Sequence, residues 1–546
     1  MSSIAPHLSS FDHLPLATFG PIDWAIVIGY MVLMLVIGLH AAYRESKQKS
    51  GTADFFLGQK RIPTWVLAVS IVGSMLSAAT FIGAPSEAYA GNLSYLILNM
   101  GGFMSVFVVG FFFVPKLYSA GTVTIYGFLT KRYGEKSRVA VSVMFLVGRL
   151  LASGSRLMLV AIPLCMMIFG TEPGAIPKTT HLIIAILIVG SIGTFYTAFG
   201  GINTVVWVDL IQFILVVGAA LVTLGLLLHR IPIGPGEIVS TLSTATDKDG
   251  MSKLTLVNFV FDLSNPYTVW AALTGSFFLG MATYGVDHDF AQRFMIAKSK
   301  TKAAVTVIVA QFVSISVVFL FMSIGLLLFI YYQRPDIMGA AGPGMVDIAA
   351  GTPVYQYFML KDMPTIVAGL AVAGLFAVSQ GSMDSAINAM ASSAIADLYL
   401  PWRKKIGRPI DESKPIDAPK FAVAGIGLLM TFVAIFFVLI YNPKEQTFLQ
   451  FALGVMNFAL SGMLAVFLCG LFTNRGNNVS VIAALATGFF VALACQPYIL
   501  NLANISTKIA FPYVMFLATS SALVVCLLGS PKNDGPMGDR LPAERI

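Results

Sequence analysis

The sequence predicts an all-α, polytopic membrane protein of about 13 transmembrane helices, with discontinuous helices set in an inverted repeat. Three observations predict it. The 546 residues are 57% hydrophobic and only 11% charged, with a mean hydropathy of +0.82. Apolar runs return thirteen times at the roughly 20-residue length that crosses a hydrocarbon core. Two of these runs, five spans apart, are interrupted by glycine and proline, the pattern of a repeat whose binding site lies at its broken helices.

The first run, 22–42, follows about twenty residues without Lys or Arg. It lacks the basic start and small-residue cleavage site of a signal peptide and reads as a retained span, with residues 1–21 as an extracellular N-terminus. The second, 64–90, carries the broken stretch "SIVGSMLSAATFIGAPSEAYAG". The runs at 95–119, 138–168, 180–198 and 202–229 follow, and then the second broken run, 267–292, with "GSFFLGMATYGVDHDFAQR". Those at 303–333, 364–399, 419–441, 446–473, 478–500 and 508–529 complete the set, and 530–546 reads as a cytoplasmic tail. An offset of five spans reverses membrane orientation, as an inverted repeat requires.

Lysine and arginine give the orientation, because positive charge is held on the cytoplasmic side. The loops at 44–61, 116–138, 293–302, 400–420, Arg475 and the tail hold 24 of the 34, against 8 in the intervening loops and 2 within spans. This places the N-terminus outside and the C-terminus in the cytoplasm, in a cell membrane. The net charge of +8 follows from the topology bias and is no nucleic-acid signal. Cys165, Cys469, Cys495 and Cys526 lie in or at apolar runs without metal or disulfide spacing. No two of the six histidines pair at helical spacing within a span, which argues against a haem or zinc enzyme. Loops are short except at 230–266, 334–363 and 400–420, leaving no room for a soluble domain.

Polarity inside the spans marks the candidate site. On the ninth run, Met383, Ile387, Met390 and Ala394 share one face, while Gln380, Gly381, Ser382, Asp384, Ser385, Asn388 and Ser392 cover most of the other. Small residues and Asn account for close helix packing, but an aspartate costs about 2.5 to 3.5 kcal/mol at the bilayer centre. A carboxylate beside hydroxyls offers hard oxygen ligands to a small cation or a proton. Asp209 sits two turns into the sixth run, in "FGGINTVVWVDLIQ". Arg149 and Arg156 are seven apart on one face of the fourth run, with Ser153. Arg149 pairs either with Asp209 or with a substrate carboxylate, since its planar fork matches a carboxylate bidentately.

These segments resemble the sodium:solute symporter family, over about residues 22–530. The most specific piece is "TFYTAFGGINTVVWVDLIQ" (194–212), joined by "GSMLSAATFIGAPSEAY" (73–89), "GVDHDFAQR" (285–293) and "GSMDSAINAMASSAIADLY" (381–399). The resemblance implies a leucine-transporter-like 5+5 fold: residues 64–229 and 267–473 as the two repeats, with 22–42 and 478–529 peripheral. It implies a common sodium site at the carbonyls of Gly73, Leu76 and Val378 and the side chains at 381 and 382. The family usually has a hydroxyl pair there, and this chain has Gly381 and Ser382. An additional sodium site would use Asp209, Ser382, Asp384 and Ser385. Ser77 and Thr80 would line the substrate side of the broken helix, and Arg149 matches the arginine of sialic-acid transporters. "SAATFIGAPSEAY" is similar to the monocarboxylate, vitamin and iodide branch.

The leading reading is sodium-coupled symport of a small carboxylate-bearing solute by alternating access, with Na+ as coupling ion, the lipid bilayer as surroundings and no enzymatic activity, nucleic acid or obligate protein partner. The alternatives are proton coupling through Asp209 and Asp384, a sugar symporter of the same fold, or a membrane solute sensor, which needs an output module that the tail after 530 is too short to be.

Overall fold

The computed structural model describes residues 19–48, 56, 62–169, 178–198, 201–339, 342–343, 353–408, 410, 418–440, 448–502 and 508–530. The expected segment 1–21 up to residue 18, the basic residues Lys49, Lys60 and Arg61, the first glycine of the Gly200–Gly201 pair and the tail beyond 530 lie outside the described residues.

The long apolar runs are helical, as runs that must satisfy every backbone group internally have to be. They are α1 (Pro21–Gln48), α2 (Thr64–Met75), α3 (Ala78–Ala90), α4 (Leu93–Ser119), α5 (Glu135–Phe169), α6 (Thr179–Thr197), α7 (Gly201–Arg230), α8 (Val269–Gly285), α9 (His288–Met295), α10 (Lys300–Gln333), α11 (Val367–Lys405), α12 (Ala418–Ile440), α13 (Phe448–Phe472), α14 (Asn478–Ala494) and α15 (Phe511–Leu527). Among the described residues eight helices are each long and apolar enough to cross a membrane. The pairs α2/α3 and α8/α9 reach that length only together, bent by 65° and 52°. The apolar parts of α6, α14 and α15 are shorter, each 17 residues. The chain is thus an all-α multi-pass membrane protein.

Both bends lie where the sequence is interrupted. The ladder of α2 ends at the bond from Leu76 N to Val72 O, 2.8 Å, and α3 restarts from Ser77 in extended conformation. Helix α9 restarts at Asp287, whose carboxylate accepts from Asp289 N in an N-cap geometry. The carbonyls that follow Val72 lie beyond the ladder and carry helix-end polarity.

Helix α11 is the hub. It packs on α1, α2, α3, α5, α6, α7, α9 and α12, and every residue from Val367 to Ser393 except Leu370 is buried. The polar face expected from the wheel is therefore matched by an apolar face that is also buried, with Met383 closing on Gly193 of α6. Glycines set the helix spacing elsewhere: a Cβ on Gly101 would lie 2.3 Å from Ala272 O, so α4 and α8 touch backbone to backbone.

At its far end α3 is held by the 231–268 segment. Lys253 Nζ donates to Tyr89 O and Gly91 O at 2.7 and 2.8 Å and lies over the Phe329 ring. Asn92 Nδ2 donates to Asp247 Oδ2 at 2.7 Å beside it. A cation at a helix C-terminus satisfies carbonyls that have no intrahelical partner.

Candidate functional site

Two broken helices and α11 meet around a chain of buried charges. Its first link is Arg149 on α5. The sequence left Arg149 between Asp209 and a substrate carboxylate, and in the structure its ion pairs are not with Asp209. Its Nη1 donates to Asp287 Oδ2 at 2.9 Å and its Nη2 to Asp289 Oδ2, both at the start of α9. Its guanidinium also lies over the Phe290 ring. In this arrangement the fork of Arg149 is filled by the protein's own carboxylates.

The partner of Asp209 is Arg293, four residues after Asp289 on α9. Its Nη2 donates to Asp209 Oδ2 at 3.0 Å and its Nη1 to Asp289 Oδ1 at 2.9 Å. Its Nε donates to Ser70 Oγ at 2.8 Å, and Nη2 also reaches Ser385 Oγ. Ser70 Oγ in turn donates to Asp209 Oδ2. The positively charged count at 293–302 therefore includes one residue that is wholly buried, since Arg293 is 0% exposed. The remaining basic residues of that loop leave the charge bias unchanged in sign.

The four residues implied for an additional sodium site have different hydrogen-bond partners. Asp209 and Ser385 both bind Arg293, and Ser385 Oγ also accepts from Ser74 Oγ at 2.9 Å. Ser382 Oγ accepts from Arg156 Nη1 at 3.1 Å. Asp384 Oδ1 accepts from Thr197 Oγ1 of α6 at 2.9 Å. Residues 382 and 385 are three apart and share a face of this enclosed helix, while 384 projects at a different angle.

Of the residues implied for the common site, Gly73 packs its α-carbon against Asp209, with the Cβ and carbonyl oxygen of Asp209 each 3.5 Å from where a side chain would start. Leu76 is the residue at the break, and Val378 is buried in α11. Gly381 faces α7: a Cβ there would stand 2.6 Å from Gln212 Oε1 and 3.5 Å from Asp209 Oδ1. Ser77 is buried at the start of α3 and Thr80 half-buried one turn on.

Arg156, one face and two turns from Arg149, differs from it in its partners. No carboxylate lies within ion-pair distance of it among the described residues, and its hydrogen bonds go to Ser382 Oγ and Met456 Sδ. It lines a cavity of about 10 Å³ with Ser153, Ser379, Ser382 and Met383, room for about one water. The Ser153 hydroxyl is buried there without a hydrogen-bond partner among the described residues.

Asp287, Asp289 and Arg293 were not singled out from the sequence. A signal was present: Asp289 and Arg293 are four apart, the spacing of a helical ion pair, inside an otherwise apolar span. His288, also in that stretch, is buried between Tyr126 and Phe145, with Nε2 3.3 Å from Ser392 Oγ.

The sequence profile of the Sodium:solute symporter family matches residues 55–488. A sodium/sialic acid symporter of Proteus mirabilis is 26% identical over 88% of this chain and 91% of its own length. The human sodium/iodide cotransporter is 25% identical over 481 residues, 87% of this chain and 70% of its own length. The solved substrate-bound, outward-open structure of a Na+-coupled sialic acid symporter superposes with a TM-score of 0.75, at 22% identity, over 94% of this chain and 99% of that one. That likeness shows a shared fold.

Proposed function

The chain belongs to the sodium:solute symporter family, and on that premise we propose that its cargo is a small carboxylate-bearing solute of the sialic-acid or monocarboxylate class. It is a secondary active transporter and no enzyme, with sodium as coupling ion. The observation that carries the anionic assignment is Arg156. A guanidinium inside a membrane span is expensive unless an anion meets it, and Arg149 has two carboxylates where Arg156 has none among the described residues. The solute carboxylate is therefore assigned to Arg156 in place of Arg149. Ser153, whose hydroxyl has no partner among the described residues, and Ser77 and Thr80 on the broken helix offer hydroxyls to the rest of the solute. The sialic acid and iodide in the names of two relatives are both anions, which supports the same reading.

The arrangement proposed around this site is thirteen spans, with 64–229 and 267–473 as two five-helix repeats, the N-terminus outside and the C-terminus cytoplasmic in the cell membrane. The cavity beside Arg156, about 10 Å³, admits no organic solute, so α3 or α11 must separate from α5 for loading. The bends at Leu76 and Asp287 lie where such motion costs few backbone bonds. Sodium, when bound, supplies a positive charge that favours one of the two openings, and the residues around it decide which. A thermal-shift screen of carboxylates and neutral sugars, in sodium against choline buffer, tests the proposal. Stabilisation by carboxylates that is larger in sodium is the expected result; stabilisation by neutral sugars alone would overturn the anionic assignment.

A further inference from the structure

Helices α2 and α10 pack together, and between their first turns lies an open groove of about 480 Å³. Thr64 and Trp65 line it from α2, and Lys298, Lys302, Val305 and Val309 from the residues that lead into and begin α10. Lys302, Val305 and Val309 share one face of α10, and the exposed Phe312 continues that face toward the middle of the span. Val309 lies roughly 10 Å further along the helix than Lys302, at a rise of about 1.5 Å per residue. The groove therefore has a cationic mouth and an apolar floor. Both lie on the outside of the bundle, since Trp65, Val305 and Phe312 are 58%, 43% and 52% exposed. Among the described residues neither lysine ammonium has a hydrogen bond or an ion pair, and no acidic side chain lines the groove.

A lysine at the end of a span ordinarily extends to water, and an indole there sits at headgroup level. Here both border one groove that descends the outer face of α10, so its two halves call for a ligand that is polar at one end and apolar at the other. A free phosphate would meet the lysines and leave the valines bare, and a hydrocarbon chain alone would leave the lysines unused. A zwitterionic headgroup brings a cation of its own toward Lys298 and Lys302, so an anionic headgroup is the better match. We propose that the groove binds one anionic phospholipid, with its phosphate between Lys298 and Lys302, its headgroup beside Thr64 and Trp65, and an acyl chain along Val305, Val309 and Phe312. Helix α10 packs on both α2 and α3, the two halves of the broken span. The lipid thus braces the broken span from the bilayer side, away from the buried charges on α5, α7 and α9.

The test is thermal unfolding of the delipidated, detergent-solubilised protein, titrated with phosphatidylglycerol, with phosphatidylcholine of the same acyl chains, or with glycerol 1-phosphate. Phosphatidylglycerol is expected to raise the melting temperature to a plateau, and the other two are not. Lys298→Gln combined with Lys302→Gln is expected to raise the half-saturating phosphatidylglycerol concentration about ten- to thirtyfold, roughly fivefold for each lysine. Lys404→Gln combined with Lys405→Gln, which removes the same charge at the end of α11, is expected to leave it unchanged. No stabilisation by phosphatidylglycerol, equal stabilisation by phosphatidylcholine, or equal losses in the two double variants would overturn the site. Stabilisation by glycerol 1-phosphate alone would make the groove a site for a free anion and overturn the lipid. Should the Lys298 and Lys302 variant not fold, Val305→Trp decides: its indole fills the groove and should weaken phosphatidylglycerol binding, and unchanged binding would overturn the assignment.

Discussion

Replacing Arg156 and Arg149 separately by methionine distinguishes the solute's cation from a structural one. Arg156 loses one hydrogen bond to Ser382 and a contact to Met456, and methionine fills most of its volume. The folding cost is about 1.5 kcal/mol or less. Its charge-assisted, bidentate hold on a carboxylate is worth about 1.5 to 3 kcal/mol, so solute affinity falls about ten- to a hundredfold. Arg156→Lys keeps the charge and loses the fork, and falls between the two. Arg149→Met behaves oppositely. It strips the guanidinium from Asp287 and Asp289, whose side chains are 3% and 0% exposed, at a cost of about 3 to 5 kcal/mol in stability for every condition. The assay is thermal unfolding in detergent, titrated with a carboxylate solute from the screen. Affinity unchanged in Arg156→Met, together with its loss in a folded Arg149→Lys, would return the carboxylate to Arg149.

Gly381→Ser places its Cβ against Gln212 Oε1, at the 2.6 Å separation seen in the structure, and overpacking of that kind costs about 1 to 3 kcal/mol. Melting temperature and sodium-dependent stabilisation should both fall, whereas a tighter sodium response would show that the added hydroxyl acts as a ligand. Asp209→Asn should remove sodium-dependent stabilisation, and Asp384→Asn, whose Oδ1 accepts from Thr197 Oγ1, should weaken it less; sodium titrations of the two variants compare them. Lys253, in the segment outside the spans, has its ammonium pushed down to about 8 by burial, partly offset by Asp247. The unfolded chain then binds more protons between about pH 8 and the ordinary lysine value near 10.4. Stability of the wild type relative to Lys253→Met should therefore rise with pH across that window, and a relative stability that falls there would contradict the burial of the charged form.

Hydropathy carried most of the architecture, because a bilayer forces each apolar run into a helix, and the Gly and Pro breaks at 73–91 and 275–293 mark the two bends. The polar ribbon of 379–393 was equally readable as a buried helix. Which polar groups meet was not. Arg149 and Asp209 are both exceptional in their spans, yet Arg149 turns to Asp287 and Asp289 while Asp209 receives Arg293. That choice depends on how α9, restarting at Asp287, is set against α2 and α11 so that its charges reach α5 and α7, and no local spacing encodes it.

The most direct measurement of the central claim is uptake of a radiolabelled carboxylate solute into proteoliposomes under an imposed ion gradient. The expected result is concentrative uptake that requires an inward sodium gradient, persists without a pH difference, and is lost in Arg156→Met while that protein remains folded. Uptake driven by an inward proton gradient in sodium-free buffer, or undiminished in Arg156→Met, would contradict it.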